Sequence, residues 1–386
     1  MSIVFEKSED INNLNIEISN VNLSIINAMR RVILSEYPTI GFNIDDYLNS
    51  DIKVITNTSS INNEFIMHRI GLVPIHYSSI KAFDSSKYKF VIDKQNTSNS
   101  TISVKSNDFK VYNTETGNEE DSIKFFPPEP ITNDFILILR LKQNPNKIGE
   151  KIHVEGKASI GTGSINARYS PVSCITFNNK IDESKKATAL QNHLDKTMQN
   201  DDASIDKETL NFNLTYGERY FHTDENDEPN IFEMFIESIG VIPSHIILYE
   251  TLDIIKQKLN NITNIINKII SDENKQEKIQ ISKSLDTMDA YEVKINDETH
   301  TIGNIIQSYA SLNFTEEELP YIGYRNPHPL KKFIVIKLKT SNNTLEEVNN
   351  VFSKINENVK SIIDELRKQI EIEFKIKRTM KIKKSS

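Results

Sequence analysis

Two stretches of this chain carry apolar residues alternately four and three positions apart. The first, after Pro243, holds Ile255, Leu259, Ile262, Ile266 and Ile269; the second holds Val348, Phe352, Ile355, Val359, Ile362 and Leu366. Pro243 suits a helix N-terminus, and the spacing predicts one helix from there to about Ile270 and another closing the chain. Each presents a narrow heptad seam rather than the wide apolar stripe of an ordinary surface helix. Burying a seam residue contributes about 1.5–3 kcal/mol, so a seam left in water is a severe liability. Two such helices are most economically packed on each other or jointly on neighbouring sheets; two unrelated surface helices are the plainer alternative.

The rest of the chain supplies the sheets. Leu14, Ile16 and Ile18 alternate with polar residues, as in a half-buried strand. A short helix follows with Ile25, Met29, Val32 and Ile33 on one face, capped by Ser19 or Asn20 and stopped before Pro38. Residues 50–175 read mostly as short strands: Asp51–Thr56, Tyr88–Asp93, Ile102–Val104, Phe135–Leu141 and Val172–Phe177, with a proline-rich loop over Pro127–Pro130. Polar Asn178–Glu208 reads as a mobile loop with one short helix at most, before a strand at Ile231–Ile239. Ser271–Ser284 reads as a linker, followed by a second strand–helix–strand unit with a helix near Ile302–Leu312 and a strand at Phe333–Thr340.

Asn27 and Asn304 each lie one turn into a short helix that follows a strand, and each unit ends in a long seam helix, a weak internal repeat. The expected fold is therefore α+β: two related sheet-plus-long-helix modules pairing within one chain, the first interrupted by a mostly β insert.

Composition narrows the function. A chain of 386 residues suggests two to three domains. Net charge −8 and pI about 5.6 argue against nucleic acid or anionic membrane drawing the molecule as a whole. One cysteine, Cys174, excludes an internal disulfide, a four-cysteine zinc site and an iron–sulfur cluster. The first residues lack the basic and apolar regions of a signal peptide, and no apolar run approaches the ~20 residues needed to span a bilayer. A soluble, intracellular protein is expected.

Catalytic motifs fail on inspection. Gly161-Thr162-Gly163 begins like a dinucleotide fingerprint, but Asn166 stands at its third glycine; Gly156 and Gly161 have P-loop spacing, but Thr162 stands where lysine is required. Glu64 and His68 can share a helix face without a further ligand at metal spacing. No catalytic, cofactor-binding or metal residue is therefore assigned. Arg30-Arg31 reads either as a solvated basic edge or as an anchor for a large partner. The tail Lys375, Lys377, Arg378, Lys381, Lys383 and Lys384 reads as solubilising, or as touching nucleic acid or an acidic neighbour.

The segment Asn27-Ala28-Met29-Arg30-Arg31-Val32-Ile33-Leu34-Ser35-Glu36-Tyr37-Pro38-Thr39-Ile40 resembles the signature helix of the α-like subunits of cellular RNA polymerases. These include the bacterial α amino-terminal domain, the archaeal D subunit and the third subunit of eukaryotic polymerase II. Glu64-Phe65-Ile66-Met67-His68-Arg69-Ile70-Gly71-Leu72-Val73-Pro74-Ile75 resembles the second hallmark of that family. Ala167-Arg168-Tyr169-Ser170-Pro171-Val172 is similar to its segment returning from the insert, and Phe235–Gly240 to the strand entering its dimerisation helix. His300–Ile306 and Tyr321–Leu330 resemble the smaller partner, the archaeal L or eukaryotic eleventh subunit. Both partners in one polypeptide look like the fused subunit of nucleocytoplasmic large DNA viruses.

The resemblance implies an α-like dimerisation module over 1–48 plus 206–272, an insert over 49–205, an L-like module over 285–375 and a basic tail over 376–386. It implies a non-catalytic assembly platform that recruits the two largest polymerase subunits, which hold the active site, and small subunits as well. The second dimerisation partner lies in the same chain, with little nucleic-acid contact, no membrane and no bound cofactor. Arg30 and Arg31 match arginines facing the second-largest subunit; Glu64, His68, Arg69 and Gly71 match an adjoining surface; Asn27 and Asn304 would hold their helix starts. The implied setting is intracellular, the host cytoplasm or viral factory, with packaging in the virion left open. The alternative is a nucleic-acid-binding transcription accessory protein that uses the basic tail. In either case a linker of about 14 residues spans ~20 Å and makes pairing of the modules intramolecular.

Overall fold

The structure is a computed structural model that describes residues 2–6, 10–46, 49–77, 80–143, 149–197, 202–271, 278–284 and 289–376. In chain order the first elements are β1 (Ser2–Phe5), β2 (Asn13–Ser19), α1 (Leu23–Ser35), β3 (Pro38–Gly41), β4 (Ile52–Asn57), α2 (Asn63–Gly71) and β5 (Tyr88–Gln95). Next come β6 (Ile102–Lys105), β7 (Lys110–Asn113), β8 (Glu119–Glu120), β9 (Leu137–Leu141), β10 (Lys151–Gly156), β11 (Ser159–Thr162) and β12 (Val172–Asn179). The chain continues through α3 (Glu183–Thr197), α4 (Asp202–Thr215), β13 (Ile231–Ser238), α5 (Ser244–Ile270), β14 (Ile279–Lys283) and β15 (Tyr291–Asn296). It ends with α6 (His300–Asn313), β16 (Tyr321–Arg325), β17 (Phe333–Lys339) and α7 (Leu345–Glu373).

Two compact units result. One is built from the described residues of Met1–Val32, Cys174–Glu237 and Ser244–Ser386; the other is Ile33–Ser173 with Ser238–Pro243. Residues 174–205, expected in the insert, fall in the first unit.

The first unit holds two four-stranded sheets of one topology, β1-β2-β13-β12 and β14-β15-β17-β16. In each, a hairpin leads into a short helix (α1 or α6), and the next two strands lead into a long one (α5 or α7). The weak repeat in the sequence is thus a repeat of topology. Alternation builds both sheets: Leu14, Ile16 and Ile18 on β2, Phe232, Met234 and Ile236 on β13, and Ile334, Ile336 and Leu338 on β17 are buried.

Three expectations need correction here. The described part of 178–208 is helical rather than a mobile loop: α3 and α4 pack together, with the His193 ring 5.4 Å from that of buried Phe212, and residues 198–201 lie outside the described residues. Its helix formers carry few apolar residues, so the hydrophobic pattern alone hides it. Asp182 caps α3 by accepting from the amides of Ser184 and Lys185 at 3.0 and 3.1 Å, and these bonds, that of Lys185 first, hold its carboxyl below the usual range. Second, the expected linker contains a strand, since β14 pairs along β15 from Ile279↔Ile295 to Lys283↔Tyr291; residues 272–277 lie outside the described residues. Third, Asn22, not Ser19 or Asn20, closes the start of α1, accepting from the Ser24 amide at 2.8 Å.

The second unit is sheet-rich: a five-stranded sheet β4-β10-β5-β7-β8 and two strand pairs, β3 with β11 and β6 with β9. Its core gathers Phe42, Phe90, Phe109, Phe125 and Phe126, with Phe109 stacked on Phe126 at 4.7 Å between centroids. Each buried ring contributes about 1.5–3 kcal/mol. Gly161 and Gly163, which resembled a nucleotide fingerprint, serve close packing instead: a Cβ would lie 2.6 Å from the Tyr169 ring at Gly161 and 2.0 Å from the Leu34 carbonyl oxygen at Gly163.

Candidate functional site

The most extensive candidate surface is the one that the seam residues build. Ile255, Leu259, Ile262 and Ile266 of α5 are buried, as are Phe352, Ile355, Val359 and Leu366 of α7. Ile269 and Ile362 are only half-buried; Ile363 takes the inward position expected of Ile362. The two helices pack on each other, and their polar contacts run in opposite chain directions, which makes the pair antiparallel. Tyr249 donates to Glu371 at 2.7 Å, Arg367 to Asp253 at 2.9 Å and Asn356 to Asn260 at 2.9 Å, while Lys256 pairs with Asp364. The Arg367 guanidinium also lies over the Tyr249 ring at 4.2 Å. Aligned charges along the rim set register where the apolar seam by itself would allow slippage.

Further contacts tie the two modules together. Lys258 on α5 reaches buried Glu298, just before α6, at 3.1 Å. Arg31 donates through Nε to the Thr301 hydroxyl at 2.8 Å. A residue expected to face an outside partner thus has a partner within the chain. Its neighbour Arg30 donates to Asn27 Oδ1 through Nε and Nη2 at 3.2 and 3.0 Å. Asn27 accordingly holds Arg30 in place, while Asn22 caps the helix. Asn304 is half-buried on the second turn of α6, whose cap is Thr299, accepting from the Thr301 amide. No periodic signal in the sequence points to Lys258, Glu298 or Thr301.

In the second unit, α2 positions the other expected residues. Asn62 caps it by accepting from the Phe65 amide at 3.1 Å, and Ile66, Met67 and Ile70 enter the core. The outer face carries Glu64, Phe65, His68, Arg69 and Leu72, with Phe65 65% and Leu72 71% exposed. Arg69 donates to the Leu137 carbonyl at 2.8 Å. Gly71 does not join this surface. It is buried where Arg168, 9% exposed at its side chain, donates to the Phe42 carbonyl at 3.1 Å and to Asp45 at 2.6 Å. Arg168 is thus an organising residue missed as a site, although it lies inside the quoted Ala167–Val172 segment.

Among the described residues no group of His, Cys, Asp and Glu stands together as a metal site, and no helix is long and apolar enough to cross a membrane. The tail residues from Lys377 onward lie outside the described residues. What this geometry does chemically is hold two modules of one chain together.

Comparison with known proteins agrees. The family model described as the RNA polymerase Rpb3/Rpb11 dimerisation domain matches residues 15–259, and a second model of that description matches residues 290–369. The chain is 25% identical over 266 residues to DNA-directed RNA polymerase II subunit RPB3 of Schizosaccharomyces pombe, covering 64% of this chain and 82% of that protein. It is 26% identical over 153 residues to DNA-directed RNA polymerase subunit Rpo3 of Methanocaldococcus jannaschii, covering 40% of this chain and 63% of that one. It is 27% identical over 180 residues to a conjugation stage-specific protein of Tetrahymena thermophila, spanning 42% of this chain and 54% of the relative. With one match across the split first module and another across the second, the chain belongs to the RNA polymerase Rpb3/Rpb11 dimerisation-domain family and carries two such domains in one polypeptide.

Proposed function

We propose that this chain is a non-catalytic assembly subunit of a multisubunit DNA-directed RNA polymerase, in which the two largest subunits carry the active site. The observation that carries the reading is the joining of two dimerisation modules through the antiparallel α5 and α7. A surface that would pair two separate subunits is already occupied within this chain, so the remaining faces serve further partners. Arg30 and the outer face of α2, with Glu64, Phe65, His68, Arg69 and Leu72, are the proposed contacts for a large subunit. Small polymerase subunits complete the assembly, and the chain needs no cofactor of its own for this role. The fused arrangement, as in nucleocytoplasmic large DNA viruses, leads us to place the enzyme in transcription of viral genes in the host cytoplasm.

Co-expression of the full chain with the two largest polymerase subunits from the same source tests this. Affinity capture is expected to recover both, and His68→Glu with Leu72→Glu is expected to lower recovery of one at least about tenfold. Recovery of neither large subunit by the unaltered chain, even at low salt, would overturn the reading.

A further inference from the structure

The two modules share a strand order but not a charge. On the first sheet, the side of β2 and β13 turned away from the core carries Asn13, Asn15 and Glu17, then Glu233, Phe235 and Glu237. Glu17 and Glu233 stand directly opposite each other in the register. Lys180 pairs with Glu17 and lies 4.0 Å from Glu233. Two carboxylates thus share one ammonium, and Glu237 adds a third acidic residue to the same side.

The same side of the second sheet has the reverse balance. Lys294 of β15 and Arg325 of β16 flank Val335 of β17 in register, and Glu292 and Gly323 flank Lys337. Lys339 continues the row on β17, opposite Tyr321. Among the described residues four cations therefore share this face with a single carboxylate, Glu292, which Arg325 reaches at 3.6 Å and Ser284 at 3.3 Å. Val335, between Lys294 and Arg325 in register, is only 7% exposed, while the Arg325 side chain is 66% exposed. Apolar stems down and charged heads out is how lysine and arginine settle on a sheet.

We propose that the outer face of the second sheet is a docking surface for a carboxylate-rich segment of another polymerase subunit, and that the acidic first sheet repels that segment from the related module. Homologous modules present similar shapes, so charge sign is an economical way to tell partners apart: one face attracts and the other penalises. A protein segment fits better than single-stranded nucleic acid. Successive bases need a row of open aromatic faces on which to stack, but Lys294 and Lys331 lie over the Phe333 ring at 4.5 and 6.0 Å, which leaves Tyr321 at the end of the row as a single open ring. The inference rests on the polymerase reading above.

The test is zero-length carbodiimide coupling of the co-purified polymerase, which condenses a lysine amine with a carboxylate in contact with it, followed by peptide mass spectrometry. Lys294, Lys337 or Lys339 is expected to couple to Asp or Glu of another subunit. The triple variant Lys294→Glu, Lys337→Glu, Lys339→Glu is expected to lower retention of that subunit at least about tenfold as salt is raised. The matching triple change to Arg should keep retention while abolishing coupling, which separates lost charge from lost folding. Coupling confined to carboxylates within the chain, or ultraviolet cross-linking of these strands to RNA or DNA instead, would overturn the docking surface while leaving the polymerase reading intact. Failure of every polymerase subunit to co-purify with the unaltered chain would overturn both.

Discussion

Glu347, in the first turn of α7, accepts from the Asn342 amide at 3.0 Å, from Asn342 Nδ2 at 2.6 Å and from the Ser341 hydroxyl at 3.2 Å. Thr340 first, then Asn342 and Ser341, pull its carboxyl down to about 2 from an ordinary 4.5. The folded state therefore favours the ionised form. Its contribution is complete above the unfolded value and is lost as pH falls through the folded one. Glu347→Gln should melt at a lower temperature than the parent at neutral pH, with the gap closing between pH 4.5 and about 2; melting curves across that range check it. Gly71 makes a steric prediction. A Cβ there would lie 2.7 Å from Ile44 Cδ1 and 2.8 Å from Arg168 Nη1. Gly71→Ala should destabilise the second unit by about 1–3 kcal/mol, measured by urea unfolding. Gly71 was legible as a motif position; its reason, the Arg168 side chain pressed against it, was not.

At the scale of elements, the seam helices make the sharpest contrast. Ile262→Asp puts a carboxylate where 1% of the side chain is exposed and should cost about 3–5 kcal/mol. Ile269→Asp, half-buried near the end of α5, should cost no more than about 1 kcal/mol. Urea titration of the two variants checks both, and equal costs would contradict the burial gradient along α5. Periodicity made these helices readable because the seam repeats within each one. It misplaced Ile362 for an identifiable reason. A straight α-helix drifts ~20° per heptad against a strict seven-residue repeat, and the buried series on α7 steps from Val359 to Ile363, then to Leu366 and Ile370. Where the repeat was short or absent the elements stayed hidden, as with α3, α4 and β14.

For the whole molecule, tethering is the testable property. A protease site placed within residues 272–277 should, after cleavage, leave the two halves eluting together, because the α5–α7 seam still buries both apolar faces. Melting should then become concentration-dependent. Relative to a tether worth about millimolar, micromolar protein forfeits about 4 kcal/mol. Separation of the halves on cleavage would contradict the packing of α5 on α7.

What the sequence by itself determined is what lies close along the chain: the seams, the alternating strands and the tandem repeat of short and long helices. Those signals are legible because helix and strand periods place successive side chains on one face whatever the rest of the molecule does. The tertiary structure decided which faces meet. Arg31 finds Thr301 across 270 positions, a pairing that no local period encodes. The opposite charges of the two outer sheet faces emerge only once β15, β16 and β17 are set in register. Contacts between distant segments depend on how whole elements pack, and that packing gives Arg31 its hydroxyl acceptor and gathers scattered lysines onto one sheet face.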